Sequence, residues 1–304
     1  MQGKIFLGHL AAAVAYFIFG FNIVTCKNVV TGSAVSPMDL FCMRAVGAMA
    51  LFWLLSFFMP AERVEKGDYF KIFLASFFGL FLTQISFLKA VTMTTPFDTA
   101  VVASTAPIMT MFISAIFLKE PITWKKVLGV LLSFVGVLLI IFNSVHAETG
   151  VQTKPLGVLL MICNALCFAL YLGIFRPLIE KYSVVTFMKW MFLFSALMSV
   201  PFDLPSLVSI DYGSISPFLL LNIAFTVFFA TFVSYFLIPY SQKCIRPTLV
   251  SMYSYLQPIV AACLGIWLGM DRLTFTKVVA TCLVFLGVVV VNRSRQRSDS
   301  NSKS

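Results

Sequence analysis

The sequence predicts an all-α polytopic membrane protein of ten transmembrane helices, arranged as two inverted repeats of five helices. Three observations lead to this prediction. First, 60% of the 304 residues are hydrophobic and only 11% are charged, which is more apolar surface than a soluble core of this size can bury. Second, long apolar runs recur along nearly the whole chain. Third, the two halves of the chain match each other at a constant spacing.

Ten apolar runs are long enough, or nearly so, for helices that cross about 30 Å of hydrocarbon with their backbone hydrogen bonds satisfied internally. The seventh run is the weakest, because Lys189 lies within it and Pro201 and Pro205 bound its end. The ten runs cover residues 5–25, 38–59, 70–90, 97–118, 124–143, 156–176, 186–202, 217–238, 248–269 and 275–292.

Basic residues are distributed unequally between the two sides of the predicted membrane. Arg44 is set aside because it lies inside a run. The connections on the N-terminal side then carry 16 Lys and Arg residues, and those on the opposite side carry 5. Because basic residues concentrate in cytoplasmic loops, both termini are predicted to be cytoplasmic. This alternation also supports an even number of spans.

An internal repeat relates the two halves of the chain. A shift of 151 residues superposes them without a gap, and nine identities fall between residues 107 and 140 and their partners, including Pro107 with Pro258. Five spans per repeat is an odd number, so the second repeat enters the membrane from the opposite side and the repeats are inverted. The predicted units are a first repeat at 1–143, a connecting loop at 144–155, a second repeat at 156–294 and a disordered basic tail at 295–304.

Composition disfavours several other functional classes. The net charge of +10 comes from basic residues scattered singly between apolar runs, which does not indicate nucleic-acid binding. The seven Cys are odd in number and lie mostly in apolar runs without CxxC spacing, so packing is their expected role. With two His and no nucleotide-binding loop, we predict no enzyme activity, no metal and no cofactor.

Polar side chains deep in the runs are costly in lipid, so they tend to face a cavity or one another. For the uncharged ones, hydrogen bonding between helices is the alternative to solute binding. Arg44 needs water, a partner or an anionic solute. Tyr253 and Gln257 are expected to share a helix face, with Tyr255 pointing elsewhere. Asn164 and Asn222 are also polar, and the candidate cavity residues are Asn22, Arg44, Gln84, Tyr171, Tyr235, Tyr253, Tyr255 and Gln257.

Pro107 and Pro258 lie near the middle of the fourth and ninth runs. Proline removes a backbone hydrogen bond and frees the carbonyl four residues earlier, here at Ala103 and Ser254. Interrupted helices at matching positions in two repeats indicate a binding site near the membrane midplane. A simple kink for packing is the alternative.

No acidic residue lies at the centre of a predicted run. Of the 12 acids, only Asp39 and Asp98 begin runs, where helix capping already explains a carboxylate. The sequence therefore predicts facilitated diffusion or exchange, or proton coupling through Asp39 or Asp98.

Short motifs in both halves resemble a known family. The first half contains Thr105-Ala-Pro107, Glu120-Pro-Ile-Thr123 and Gly129 through Gly136-Val137. The second half contains Tyr253-Ser-Tyr255-Leu-Gln257-Pro258, Asp271-Arg-Leu-Thr274 and Gly287-Val288. These motifs resemble the first and second EamA repeats of the drug/metabolite transporter (DMT) superfamily, and Lys189-Trp-Met-Phe192 is similar to bacterial members of that family. The resemblance implies ten helices, cytoplasmic termini and a central cavity lined by both halves, with the fifth and tenth helices outside it.

Members of this family move amino acids, other metabolites or drugs, often as exporters. The inverted repeats themselves predict a transporter that works by alternating access, because two near-equivalent halves can exchange conformations. The resemblance implies a permease of the bacterial inner membrane that exports a small polar metabolite. Its expected partners are the solute and the lipid bilayer. A homodimer is a further option, because Gly129 and Gly136 lie on one helix face. The alternative function is a membrane-embedded lipid-modifying enzyme.

Overall fold

A computed structural model describes residues 2–118, 124–145, 153–245, 247–270 and 274–301, and this part of the chain is helical with no strand. Short π-helical or 3₁₀ turns join some of the helices. The helices are α1 (Gln2–Gly32), α2 (Pro37–Ser56), α3 (Asp68–Ser76), α4 (Thr83–Met93), α5 (Pro96–Ala103), α6 (Ala106–Leu118), α7 (Trp124–Val145), α8 (Pro155–Ile174), α9 (Arg176–Lys181), α10 (Val184–Ser209), α11 (Pro217–Val227), α12 (Ser234–Cys244), α13 (Pro247–Met252), α14 (Leu256–Trp267) and α15 (Phe275–Asn301).

Six helical segments are long and apolar enough to cross a membrane, judged by length and composition over the described residues. They coincide with the first three predicted runs and with the sixth, seventh and eighth. The chain is therefore a multi-pass membrane protein. The six segments are Gly3–Gly32, Pro37–Ser56, Asp68–Met93, Pro155–Ile174, Val184–Ser209 and Pro217–Cys244.

The remaining apolar runs lie on helices that are interrupted or less continuously apolar. The fourth and ninth runs correspond to the α5–α6 and α13–α14 pairs, each broken near its middle. Shorter apolar stretches occur at Val127–Gly136 in α7 and Val278–Gly287 in α15. Helix α15 continues to Asn301 and so includes most of the segment for which we predicted disorder.

Local sequence explains where several helices begin. Ser36 caps α2 by accepting a hydrogen bond from the Asp39 amide, and the Asp39 carboxylate accepts one from the Ser36 amide at 2.7 Å. This reciprocal capping box satisfies two backbone donors that the helix itself leaves unpaired. Pro37 at the first helical position adds a backbone angle already suited to a helix.

The two halves share an irregular feature at equivalent positions. A π-helical turn covers Phe77–Leu82 in the first half and Phe228–Val233 in the second, a displacement of 151 residues. The hydroxyl that follows each turn bonds to the carbonyl five residues earlier, from Thr83 at 2.6 Å and from Ser234 at 3.0 Å. A wide turn with the same hydroxyl bond in both halves extends the repeat from sequence to backbone geometry.

Helix packing follows the same repeat. Helix α1 packs against α12 and α14, and its counterpart α8 packs against α4 and α6. Two counterpart pairs pack directly on each other, α2 on α10 and α7 on α15. At one end of the α2–α10 pair the rings of Trp53 and Trp190 are 5.6 Å apart, and at the other Cys42 contacts Ser199. These counterparts therefore run antiparallel.

Close packing of α7 on α15 depends on Gly136. A Cβ atom added at this position would lie 2.7 Å from the Ala280 carbonyl oxygen, closer than real contacts allow. Gly136 therefore serves packing within the chain. The outer faces of these helices carry exposed apolar side chains such as Phe134 and Leu286, as expected for surfaces in contact with lipid.

Candidate functional site

A cavity of about 70 Å³, lined by both polar and apolar side chains, lies between the two halves and is large enough for several water molecules. Both halves contribute to its wall. The lining residues are Tyr16, Phe19, Asn22, Ile23, Arg44, Thr83, Gln84, Phe87, Ala103, Ala106, Met161, Asn164, Ala165, Phe168, Tyr235, Ser254 and Gln257.

Gln84 and Tyr235 meet on the wall of this cavity. They are 151 residues apart and so occupy the same position in the two halves. Gln84 Nε2 donates a hydrogen bond to the Tyr235 hydroxyl. A residue that contacts its own counterpart must lie beside the axis that relates the two halves, so the cavity is built on that axis. The sequence identified both residues, but not their contact.

Arg44 reaches the cavity from α2, with its side chain only 2% exposed. Its Nε donates to Thr231 Oγ1 at 2.8 Å, and its Nη1 donates to Cys26 Sγ at 3.7 Å. Thr231 belongs to the π-helical turn of the second half, and its hydroxyl donates onward to the Thr226 carbonyl. Cys26 donates to Asn22 Oδ1 at 3.3 Å. The guanidinium is thus held by neutral groups from both halves.

Both interrupted helices meet the cavity at their breaks. Helix α6 begins at Ala106, one residue before Pro107, and α14 begins two residues before Pro258. The residues at these breaks that line the cavity are Ala103 and Ala106 in the first half, and Ser254 and Gln257 in the second. The breaks that accompany the two prolines thus both lie on the wall of one cavity.

Five predicted cavity residues line the wall, namely Asn22, Arg44, Gln84, Tyr235 and Gln257, and the other three lie elsewhere. Tyr171 is fully buried, with its ring 5.9 Å from that of Phe168. Tyr253 bonds through its hydroxyl to His9 Nδ1 at 2.9 Å. The Tyr255 ring packs on Phe285 at 5.3 Å.

The separation of Tyr253 from Gln257 has a local cause. We expected the two to share a helix face, but residues 253–255 form a 3₁₀ turn. Each residue of such a turn advances by about 120° instead of the roughly 100° of an α-helix. The two side chains therefore diverge, and Gln257 alone reaches the cavity.

Three lining side chains have a buried polar atom without a hydrogen-bond partner among the described residues. These atoms are the Tyr16 hydroxyl, Gln84 Oε1 and Ser254 Oγ. Tyr16 was not among the predicted cavity residues, and Ser254 was named only for the backbone carbonyl that Pro258 frees. Buried polar groups are nearly always satisfied in folded proteins, so such atoms mark places where water or a solute bonds.

Asp203 is a buried carboxyl group that the predicted runs excluded. The seventh run ended at residue 202, whereas α10 continues through Pro201 and Pro205 to Ser209. Asp203 is 7% exposed and contacts Asp39 of α2, which is 1% exposed. Two buried carboxyl groups in contact favour sharing one proton, because two like charges in such a place repel.

A network of charged and polar groups joins the two halves at the opposite end of the α2–α10 pair. Asp68 Oδ2 accepts hydrogen bonds from Lys181 Nζ and from the Tyr182 hydroxyl, both at 2.7 Å. Lys181 also pairs with Glu65 at 2.6 Å. These hydrogen bonds to Asp68 and Glu65 raise the pKa of Lys181 above its ordinary value. We refer to Glu62, Glu65, Asp68, Lys181 and Tyr182 as the cross-repeat network.

Glu62 completes the network by capping α10. Its carboxylate accepts hydrogen bonds from the Ser183 amide at 3.0 and 3.2 Å, where the positive end of the helix dipole lies. Partial burial alone would raise the pKa of Glu62, but the bonds from Ser183 and Thr186 lower it on balance.

The other end of the protein lacks a counterpart of this network among the described residues. Leu219 occupies the position equivalent to Asp68, and its side chain would lie 3.6 Å from a Cβ atom added at Gly32. Val35 and Ile215 pack nearby in an apolar cluster. The equivalent positions thus make ionic and polar bonds at one end and apolar contacts at the other, where Asp39 and Asp203 also join the two halves. Across the described residues no group of three His, Cys, Asp or Glu side chains could hold a metal ion.

Known proteins with similar sequences are transporters by name. An uncharacterized transporter of Archaeoglobus fulgidus is 27% identical over 261 residues, covering 86% of this chain and 90% of that protein. The uncharacterized transporter YetK of Bacillus subtilis is 27% identical over 299 residues, covering 96% of this chain and 88% of its own length.

The crystal structure of another protein shares this fold. It aligns with a TM-score of 0.65 over 98% of this chain and 99% of its own, at 15% identity. Residues 6–142 and 155–293 each match the EamA-like transporter family, so the family's domain is present twice. The chain belongs to the EamA-like transporter family.

Proposed function

We propose that this transporter carries a small polar metabolite across the membrane by alternating access between its two repeats. The observation that carries the proposal is the cavity on the axis between the repeats, where Gln84 bonds to its own counterpart Tyr235. A site on the axis is shared equally by both halves. Exchanging the conformations of the halves would then open the same site to the other side.

Ten membrane-spanning helices in two inverted sets of five are part of this proposal. The antiparallel packing of α2 on α10 supports it, because counterparts related by an axis in the membrane plane must point in opposite directions. The interrupted α5–α6 and α13–α14 pairs supply the fourth and ninth spans, and α7 and α15 the fifth and tenth.

The direction and location follow from charge and from family resemblance. The 16 basic residues on one side against 5 on the other support cytoplasmic termini in a bacterial inner membrane. In this orientation the cross-repeat network lies at the cytoplasmic end. Export is the direction that the family resemblance favours.

Transport is tested by reconstituting the purified protein in liposomes. A thermal-shift screen against amino acids, nucleosides and cationic drugs identifies a solute, because a ligand that binds only the folded state stabilises it. We expect the stabilising solute to exchange across proteoliposomes and not across protein-free liposomes. A solute that binds but is chemically altered instead of moved would contradict the proposal.

A further inference from the structure

Arg44 is the single charged side chain among the described residues that line the cavity. It is 2% exposed, and the ion pairs of the described residues all involve other basic side chains. A buried cation without an acidic partner is costly, so it indicates either a functional charge or a missing counter-ion.

The fixed position of the guanidinium leaves part of its bonding capacity unused. A guanidinium has five N–H donors. Two of its nitrogens, Nε and Nη1, bond to Thr231 and Cys26, which are both neutral. The two contacts come from different repeats and hold the side chain in place before any solute arrives. The remaining donors can bond a planar anion in the paired geometry that carboxylates favour.

The other side chains of the cavity wall indicate which further groups the bound solute must carry. The Gln84 Oε1 acceptor and the hydroxyl groups of Tyr16 and Ser254 lack partners among the described residues. Gln84 Oε1 can only accept, so a bound solute that satisfies it must donate a hydrogen bond. Phe19, Phe87 and Phe168 supply apolar wall between these polar points.

We infer that this cavity, as the proposed transport site, binds a small organic carboxylate, held through its carboxyl group by Arg44 and through a hydroxyl or amino donor by Gln84. This inference rests on the proposed function and names the class of its substrate. One guanidinium matches one carboxylate charge, whereas a cationic drug would meet unscreened repulsion from Arg44. Amino acids and hydroxy acids share the required chemistry.

Pairs of ligands that consist of a carboxylate and its amide test whether the cavity recognises the carboxylate charge. The thermal stability and ligand affinity of the full chain in detergent would be measured with lactate and lactamide, with phenylalanine and phenylalaninamide, and with tetraphenylphosphonium. We expect at least one carboxylate to stabilise the protein and its amide to bind at least tenfold more weakly. The lactate and phenylalanine arms distinguish a hydroxy acid from an amino acid.

Substitutions at Arg44 provide the second arm. Arg44→Gln should weaken carboxylate binding at least tenfold, Arg44→Lys should retain part of it, and Arg63→Gln, at an exposed connection, should leave it unchanged. Size-exclusion profiles establish that each variant is folded. If Arg44→Gln does not fold, the comparison of carboxylate with amide on the unaltered protein still decides.

The outcomes separate this inference from the proposed function. Equal binding of carboxylates and amides, stabilisation by the cation alone, or the absence of any stabilising carboxylate would overturn the carboxylate assignment. If an uncharged or cationic solute is bound and also carried across proteoliposomes, transport stands and the carboxylate assignment fails. If carboxylates bind through Arg44 without crossing, the assignment stands and the transport proposal fails.

Discussion

Gln84 and Tyr235 occupy the same position in the two repeats and hydrogen-bond to each other, Gln84 Nε2 donating to the Tyr235 hydroxyl. This contact joins the two repeats at the cavity wall. Any motion that exchanges the conformations of the two repeats must break this hydrogen bond or rotate the repeats around it.

Substitution of either partner should slow transport, because this bond holds the Gln84 amide in place on the cavity wall. A neutral hydrogen bond contributes roughly 1 kcal/mol, so Tyr235→Phe should lower flux by about fivefold. Gln84→Ala should lower flux further, because it also removes the acceptor that we propose for the solute. The double variant should lose little more than Gln84→Ala alone, because that variant already lacks the bond. Tyr253→Phe is the matched control, since its hydroxyl bonds His9 away from the cavity wall. Losses that multiply in the double variant would show that the two residues act independently.

Gln257 and Tyr255 should differ although they are two residues apart. Gln257 lines the cavity, so Gln257→Ala should reduce flux while Tm stays near that of the unaltered protein. The Tyr255 ring packs on Phe285 of α15, so Tyr255→Ala should act mainly on stability. Removing a large packed aromatic side chain costs about 3–5 kcal/mol. Thermal unfolding and flux measured on the same preparations would separate the two effects, and a stable Tyr255→Ala variant without flux would contradict the assignment.

Acid should weaken the cross-repeat network through Glu62. Its pKa is lowered in the folded protein, so its contribution to stability is present above its ordinary pKa of 4.5 and is lost as the pH falls through the lowered value. Glu62 is partly exposed, which limits the contribution to about 1 kcal/mol or less. Glu62→Gln should lower Tm slightly at neutral pH and have no effect once Glu62 is protonated. If Glu62→Gln and the unaltered protein differ in Tm by the same amount at neutral pH and at a pH where Glu62 is protonated, this role of Glu62 is contradicted.

Proton coupling, if flux shows any, should depend on Asp39, Asp98 or Asp203. Asp39 and Asp203 are buried in contact and can share one proton, whereas Asp98 accepts a hydrogen bond from Thr153 at 2.5 Å. We predict a weak response of flux to an imposed pH gradient. Asp39→Asn combined with Asp98→Asn should remove most of it, and adding Asp203→Asn should remove the remainder. A steep pH dependence in the triple variant would place coupling on another group.

The membrane class, the repeat and much of the cavity followed from the sequence because they depend on composition and on a constant spacing. Apolar runs fix where helices can cross lipid, and the shift of 151 residues relates Pro107 to Pro258. Polar residues such as Arg44 and Gln257 were found because a polar group in lipid is costly wherever it lies.

Other features depend on local geometry that periodicity does not contain. The π-helical turns at 77–82 and 228–233 carry no proline, and a regular 3.6-residue period is wrong across them. The 3₁₀ turn at 253–255 turned Tyr253 away from the cavity for the same reason. Asp203 was excluded because two prolines indicated the end of a helix that in fact continues past both.

Accessibility of the cavity from the two sides of the membrane tests the central claim most directly, without knowledge of the solute. Ser254→Cys would be placed in a variant whose native cysteines are replaced, and treated with a membrane-impermeant thiol reagent. Right-side-out and inside-out vesicles expose opposite faces to the reagent. Gly213→Cys and Gly67→Cys, both at exposed connections, serve as controls for the outer and inner face.

An alternating-access cavity predicts that each control reacts in one vesicle orientation only, while Ser254→Cys reacts in both. A cross-link between Cys residues placed at Glu62 and Ser183 should hold the cross-repeat network closed, because these residues are in direct contact. Labelling of Ser254→Cys should then be lost from the inner face and kept from the outer face. Labelling from a single face before cross-linking, or none at all, would contradict the account.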